Sequence, residues 1–147
     1  MVTVHDLITK KGNKVWSISP NDLMMEALVM MAEKNVGALL VMDGNSIAGI
    51  ISERDFARSI ASTGKCLLNN AVENYMTREL YTVGLEQSIE ACMQLMTQKH
   101  IRHLPVVENG ELQGLISIGD VVKAVIASKD VTINHLENFI EGRGYGQ

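Results

Sequence analysis

Apolar and polar positions along this chain change period in a fixed order, and the order occurs twice. Leu23, Ala27, Met30 and Met31 recur at three- and four-residue intervals, the spacing of a helix that buries one face. Ser19, Pro20 and Asp22 just ahead of them read as a helix start, with proline at the first helical position and an acid in the first turn. The next apolar runs, "GALLVM" and "IAGIIS", are short and flank Asp43-Gly44-Asn45, which predicts a β-hairpin. A second helix follows in "ERDFARSIAS". Downstream, Ile89, Cys92, Met93 and Met96 repeat the helical spacing, "LPVVE" and "LQGLIS" flank Asn109-Gly110, and "GDVVKAVIAS" is again helical. A last helical stretch over "TINHLENFIE" is expected to end at Gly142.

The two series superimpose. Residues 16–58 lie over 81–123 at a constant offset of 65 without a gap. Met31/Met96, Lys34/Lys99, Leu39/Leu104, Val41/Val106, Gly49/Gly114, Ile51/Ile116, Ser52/Ser117 and Asp55/Asp120 are identical, and many other pairs exchange one apolar residue for another. Upstream, "VHDLIT" at 4–9 matches "VENYMT" at 72–77 at an offset of 68, so the first copy carries three extra residues in "KKGNK". An internal repeat of this kind predicts a mixed α/β (α+β) protein of two β-α-β-β-α units, each preceded by a short helix. Residues 1–70 would form the first unit and 71–147 the second with a C-terminal helix. A pseudo-twofold pair burying matching faces is the expected arrangement.

Composition narrows the function classes. With 46% apolar and 20% charged residues the chain is expected to be globular and soluble rather than disordered. No apolar run approaches the roughly 20 residues that cross a bilayer, and "MVTVHDLITKKGNKVW" lacks a secretion signal, so a cytoplasmic protein is expected. A net charge of -4 and the lack of a basic run argue against nucleic-acid binding. Cys66 and Cys92 show no CxxC spacing and read as reduced, with Cys92 a small buried side chain on its helix. Met24-Met25 and Met30-Met31 read as core-filling residues.

The candidate chemistry lies where the second strand of each hairpin passes into a helix, at Ser52-x-x-Asp55 and Ser117-x-x-Asp120. Serine is a preferred N-cap, and an acid three residues on resembles a capping box, so one copy alone would read as a helix start. The same geometry suits a ligand: backbone N–H groups at a helix start attract phosphate, and a carboxylate can accept hydrogen bonds from ribose hydroxyls. Cations stand nearby in each copy but at different places. Arg54 lies within the first motif with Arg58 a turn later, whereas the second has Gly119 there and carries Arg102 and His103 where the first has Gly37 and Ala38. His100 and His103 have no third ligand of matching spacing, so a metal site is not expected. "GRGYGQ" follows a helix instead of joining a strand to one, and reads as a terminal tail rather than a phosphate loop. No nucleophile–base arrangement or acid pair argues for catalysis.

The doubled unit with "GIISERD" and "GLISIGD", together with "YMTRELYTV" and "IRHLPVVENGELQGLIS", resembles a tandem pair of cystathionine-β-synthase (CBS) domains, the Bateman module. The likeness covers nearly the whole chain. "KGNKVWSISP", "GALLVMDG", "SERDFAR" and "RHLPVV" are similar to a stand-alone bacterial group related to plant organellar CBS proteins. The resemblance implies a non-enzymatic regulatory module with two clefts between paired domains. These would bind AMP, ADP, ATP or NAD(H), with S-adenosylmethionine a further candidate. It implies that Asp55 and Asp120 hold ribose hydroxyls, Ser52 and Ser117 meet ribose or phosphate, and Arg54, Arg102 and His103 meet phosphates. Backbone around Gly37, Ala38, Tyr81 and Pro105 would frame the base, with Thr77 and Trp16 as neighbours. It further implies a disc-shaped homodimer that reports energy or redox state to a partner protein. An interaction module with vestigial clefts is the alternative. Because the cations differ between copies, the two sites are expected to differ in affinity or ligand. The extra "KKGNK" residues either extend the first site or form a plain loop.

Overall fold

The computed structural model describes residues 1–140, so "GRGYGQ" and Gly142 lie outside the described residues. In chain order the elements are α1 (Val4–Lys11), β1 (Ser17–Ile18), α2 (Met24–Lys34), β2 (Ala38–Asp43), β3 (Ser46–Ser52), α3 (Glu53–Thr63), a 3-10 turn (Val72–Asn74), α4 (Ile89–Lys99), β4 (His103–Glu108), β5 (Glu111–Ser117) and α5 (Ile118–Ile140). The fold is a mixed α+β one with two small sheets, as the periodicity predicts. No described helix is long and apolar enough to cross a membrane.

The chain forms two compact units, Lys14–Tyr81 and Met1–Asn13 joined with Thr82–Gln147. In the first, β1 runs parallel to β2 and β2 antiparallel to β3, with Ser17 opposite Leu40 and Ala38 opposite Ser52. In the second, β4 and β5 form the equivalent hairpin, with His103 opposite Ser117. Its turn, Asn109-Gly110, takes left-handed φ angles of 53° and 78°, the backbone that favours Asn-Gly in two-residue hairpins. Both hairpins shift register at the same place, between Val41 and Met42 and between Val106 and Val107.

The central cluster of one unit has a buried counterpart for each of its residues in the other. Ile18, Met24, Ala27, Met31, Leu39, Val41, Ile51, Phe56 and Val72 form the core of Lys14–Tyr81. Their repeat counterparts Val83, Ile89, Cys92, Met96, Leu104, Val106, Ile116, Val121 and Val4 are all buried as well. The substitutions trade volume within each core: Met24 becomes Ile89, Ala27 becomes Cys92, and Phe56, whose ring meets Tyr75 edge-on at 5.4 Å, becomes Val121. Burial pushes the Cys92 thiol up to about 11, so it stays protonated at neutral pH and serves as packing.

The last pair, Val72 and Val4, shows that the leading segment of each repeat packs with the other repeat. In one unit Val72 N–H bonds Asp22 O at 2.8 Å, Glu73 N–H bonds Pro20 O at 3.0 Å and Met24 N–H bonds Asn70 O at 2.9 Å. In the other, Val4 N–H bonds Gln87 O at 2.8 Å, His5 N–H bonds Leu85 O at 2.9 Å and Ile89 N–H bonds Val2 O at 3.2 Å. These are the same three bonds at repeat-equivalent positions, and the third of each set satisfies the first N–H of α2 or α4, which the helix itself leaves open. A division at 1–70 and 71–147 therefore follows the repeat, whereas the compact units follow these bonds.

Three local expectations are corrected. Pro20 does not open α2: Ser19 N–H bonds the Asp22 carboxylate at 3.0 Å and Asp22 N–H bonds Ser19 O at 3.1 Å, closing a turn before the helix. The helix begins at Met24, where Glu26 accepts from Leu23 N–H at 3.3 Å. The second copy has no counterpart of strand β1 beyond a single bridge between Val83 and Val106. Leu40 donates its N–H to Trp16 O at 3.2 Å, while the equivalent residue, Pro105, has no N–H to give. "GDVVKAVIAS" and "TINHLENFIE" belong to one helix, α5, because no Gly or Pro separates them.

Candidate functional site

At the end of β3 the chain turns into α3 through Ser52, whose backbone is extended at φ −130° and ψ 161°. Ser52 Oγ accepts from Asp55 N–H at 3.1 Å, and Ser52 N–H donates to Asp55 Oδ2 at 3.1 Å. This reciprocal pair is a capping box. The hairpin register sets Ala38 against Ser52, and Glu53 N–H donates to Gly37 O at 3.1 Å. Because β1 lies beside β2, Trp16 joins the same end of the sheet. Gly37 and Arg54 are exposed there, and Asp55 is half-buried.

Thr77 completes this corner. It exchanges both backbone bonds with Ile50, at 2.8 and 3.0 Å, and its hydroxyl lies 3.5 Å from Asp55 Oδ1, the limit of a hydrogen bond. The segment can approach because residue 49 is glycine: a Cβ there would stand 2.6 Å from Thr77 O and 3.0 Å from Met76 Sδ. The half-buried Trp16 ring carries two ammonium groups, Lys14 and Lys34, each 4.4 Å from its centroid. Lys14 comes from "KKGNK", so the last residue of that connection packs on the Trp16 ring. Tyr81, the last residue of the same unit, is half-buried.

The second motif has the same box: Asp120 N–H donates to Ser117 Oγ at 3.1 Å and Ser117 N–H to Asp120 Oδ2 at 2.8 Å. The Glu53–Gly37 bond is reproduced by Ile118 N–H to Arg102 O at 2.8 Å. The structure thus brings Ser117, Asp120, His103 and the Arg102 backbone together, with Pro105 buried opposite Leu115 in the same hairpin. Two of the first three N–H groups of each helix, those of Glu53 and Asp55 and of Ile118 and Asp120, are already bonded. That leaves the N–H of Arg54 and of Gly119 between them, so backbone amides offer less to a phosphate than the helix start alone suggests.

One residue at the second motif escapes a reading of the motif itself. Lys11, at the end of α1, donates to Asp120 Oδ2 at 2.6 Å and to Leu115 O at 2.8 Å. Leu115 and Asp120 are the counterparts of Ile50 and Asp55, the two residues that Thr77 contacts. A lysine ammonium here does what a threonine N–H and hydroxyl do in the other copy. Burial pushes the Asp120 carboxyl up, but hydrogen bonds from Lys11 and Ser117, with the Lys11 charge, outweigh it and hold it below its usual range. The available signal was the lysine pair in "KKGNK", but only the packing of α1 with the second repeat shows where it points.

His100 has a structural explanation. It ends α4 with a left-handed φ of 56°, as Asn35 ends α2 with 54°, and its N–H bonds Met96 O. Among the described residues no group of three or more His, Cys, Asp or Glu side chains could hold a metal ion.

The sequence model of the CBS domain family matches residues 4–62 and again 72–127. CBSX3, a mitochondrial CBS domain-containing protein of Arabidopsis thaliana, is 37% identical over 153 residues, covering 97% of this chain and 73% of that protein. Among solved structures, a CBS-domain protein of Burkholderia ambifaria gives a TM-score of 0.81 at 44% identity, over 86% of this chain and 95% of its own. The CBS domain pair of protein MJ0100, solved in complex with 5′-methylthioadenosine and S-adenosyl-L-methionine, gives 0.75 at 21% identity, over 87% and 98%; at that identity the likeness is one of fold.

Proposed function

The chain belongs to the CBS-domain family as a tandem pair, and from that premise we propose that it is a non-enzymatic regulatory module that binds an adenine nucleotide. The observation that carries this reading is the Ser52–Asp55–Thr77 corner. There a half-buried carboxylate keeps Oδ1 toward an exposed hydroxyl, next to the helix start where Glu53 N–H bonds the exposed Gly37 carbonyl. A ribose diol needs such an acceptor, because a carboxylate can take both hydroxyl protons. Asp55 is the ribose-binding residue, Ser52 and Thr77 its neighbours, and Arg54 the phosphate cation; Gly37, Ala38, Trp16 and Tyr81 frame the base. Asp120, Ser117, Arg102, His103 and Pro105 have the corresponding roles in the second copy. The ligand is AMP, ADP, ATP or NAD(H), with S-adenosylmethionine as a further candidate supported by what the MJ0100 pair holds.

Ligand binding favours one of two arrangements of the module, and a partner protein reads the difference. The module works in the cytoplasm as a homodimer of CBS pairs. Calorimetric titration with AMP, ATP, NADH and S-adenosylmethionine, with mass spectrometry of co-purifying small molecules, tests the reading. Binding of one of these that is lost in Asp55→Ala is expected. A protein that carries no nucleotide and gives no heat with any of them would instead be an interaction module with vestigial sites.

A further inference from the structure

We infer that Lys11 is an internal occupant of the second site: its ammonium holds one oxygen of the Asp120 carboxylate, so a nucleoside whose diol takes both oxygens must displace the last turn of α1. This inference rests on the nucleotide reading of the Ser-x-x-Asp motifs.

Four observations carry it. First, the ammonium lies 2.6 Å from Asp120 Oδ2, which also accepts Ser117 N–H, so a ribose diol that needs both carboxylate oxygens finds only Oδ1 open. Second, Lys11 is held at both ends of its reach. Its ammonium is pinned by Leu115 O, and its backbone ends a helix whose Gly12 N–H bonds Ile8 O at 2.7 Å. Third, α1 is seated firmly. Thr3 and Asp6 form a capping box at its start, Val4 is fully buried, and a Cβ on Gly114 would stand 2.7 Å from Ile8 Cδ1. Fourth, the contact is specific to this copy. Residue 79, where the 68-residue offset would put a counterpart of Lys11, is a glutamate, and Asp55 has no ion pair among the described residues.

The pair is also releasable. Lys11 is 38% exposed and Asp120 25%, so water can replace either partner when the other leaves. An exposed pair of this kind is worth on the order of a fewfold in an equilibrium, which makes it a competitor and not a permanent plug. The two sites therefore differ in kind: the first meets a nucleoside directly, and the second couples nucleoside entry to movement of the N-terminal helix.

The test uses the full chain carrying Asp55→Ala to silence the first site, with and without Lys11→Met, which keeps the aliphatic stem and removes the charge. Adenosine and AMP are titrated by calorimetry, and circular dichroism checks the fold; Lys11→Gln serves as the second variant. Lys11→Met should tighten both ligands about fivefold, and adding Asp120→Asn should abolish that gain. In the protein that keeps Lys11, saturating AMP should speed hydrogen exchange at the Gly12 amide. Unchanged affinities, or an AMP affinity that falls while that of adenosine stays, overturn the inference; the second result would make Lys11 a phosphate ligand. If neither compound binds the native protein or any variant, the nucleotide reading fails and takes the inference with it.

Discussion

The two Ser-x-x-Asp corners are built alike up to the carboxylate and differ in what meets it next. Each has a capping box, a carbonyl from the facing strand on the first helical N–H, and a glycine that lets a neighbouring segment come close. At Asp55 that segment is extended and offers Thr77, an uncharged hydroxyl with a paired backbone. At Asp120 it is still helical and offers Lys11. A repeat can thus preserve its core and caps while changing the electrostatics of its Ser-x-x-Asp corner through a segment outside the aligned 65-residue register.

The largest expected contrast comes from the two glycines. Gly49→Ala sets a methyl against a backbone carbonyl already paired to Ile50, whereas Gly114→Ala meets only the movable end of Ile8. Overpacking of this kind costs about 3 kcal/mol at Gly49 and about 1 kcal/mol at Gly114, measured by urea unfolding. Equal costs would mean that the two approaches are equally tight and would remove this difference between the units.

Asp120→Asn is the next largest. Losing the charge that Lys11 faces should cost about 1 kcal/mol at neutral pH. Because the Asp120 pKa is lowered in the folded protein, this stability is fully present above the unfolded value of about 3.9 and is lost as pH falls through the folded one. Wild type and variant should therefore converge in acid. A gap that persists well below pH 3, in the same unfolding assay, would show that the cost comes from packing and not from charge.

The smallest effect belongs to the first unit alone. Lys34→Met removes one of the two cations over Trp16 and should cost about 0.5 kcal/mol. Trp16 is the single tryptophan, so its emission maximum reports the change directly. An unmoved spectrum in both Lys14→Met and Lys34→Met would mean that the ammonium groups do not sit on the ring in solution.

Much of the fold was legible because burial is periodic. All nine residues of the central cluster of Lys14–Tyr81 have buried counterparts, eight at the offset of 65 and Val72 at 68, and the hairpins, turns and motif caps lie where the apolar runs and Asn-Gly signals place them. The misses are places where a local signal had a stronger competitor. Asp22 closed a turn on Ser19 instead of opening a helix, and Pro105 withheld the N–H that would have extended a strand beside Val83. Of the candidate site residues, the sequence brought Ser52 with Asp55 and Ser117 with Asp120, since a helix cap is a short-range object. Thr77 beside Asp55 and Lys11 on Asp120 are contacts across 22 and 109 residues, which no local pattern reports.

The amino-acid sequence by itself determined the repeat, the helix–hairpin–helix succession of each copy, the central core cluster and both capped corners. These depend on periodicity and on hydrogen bonds between near neighbours. Tertiary structure alone decided which leading segment serves which unit, and through that whether a corner's carboxylate meets a hydroxyl or an ammonium. The physical reason is that Val4 and Val72 are both apolar and interchangeable by pattern. Their partners are selected by backbone bonds, Val4 to Gln87 and Val72 to Asp22, that exist only once the chain has folded.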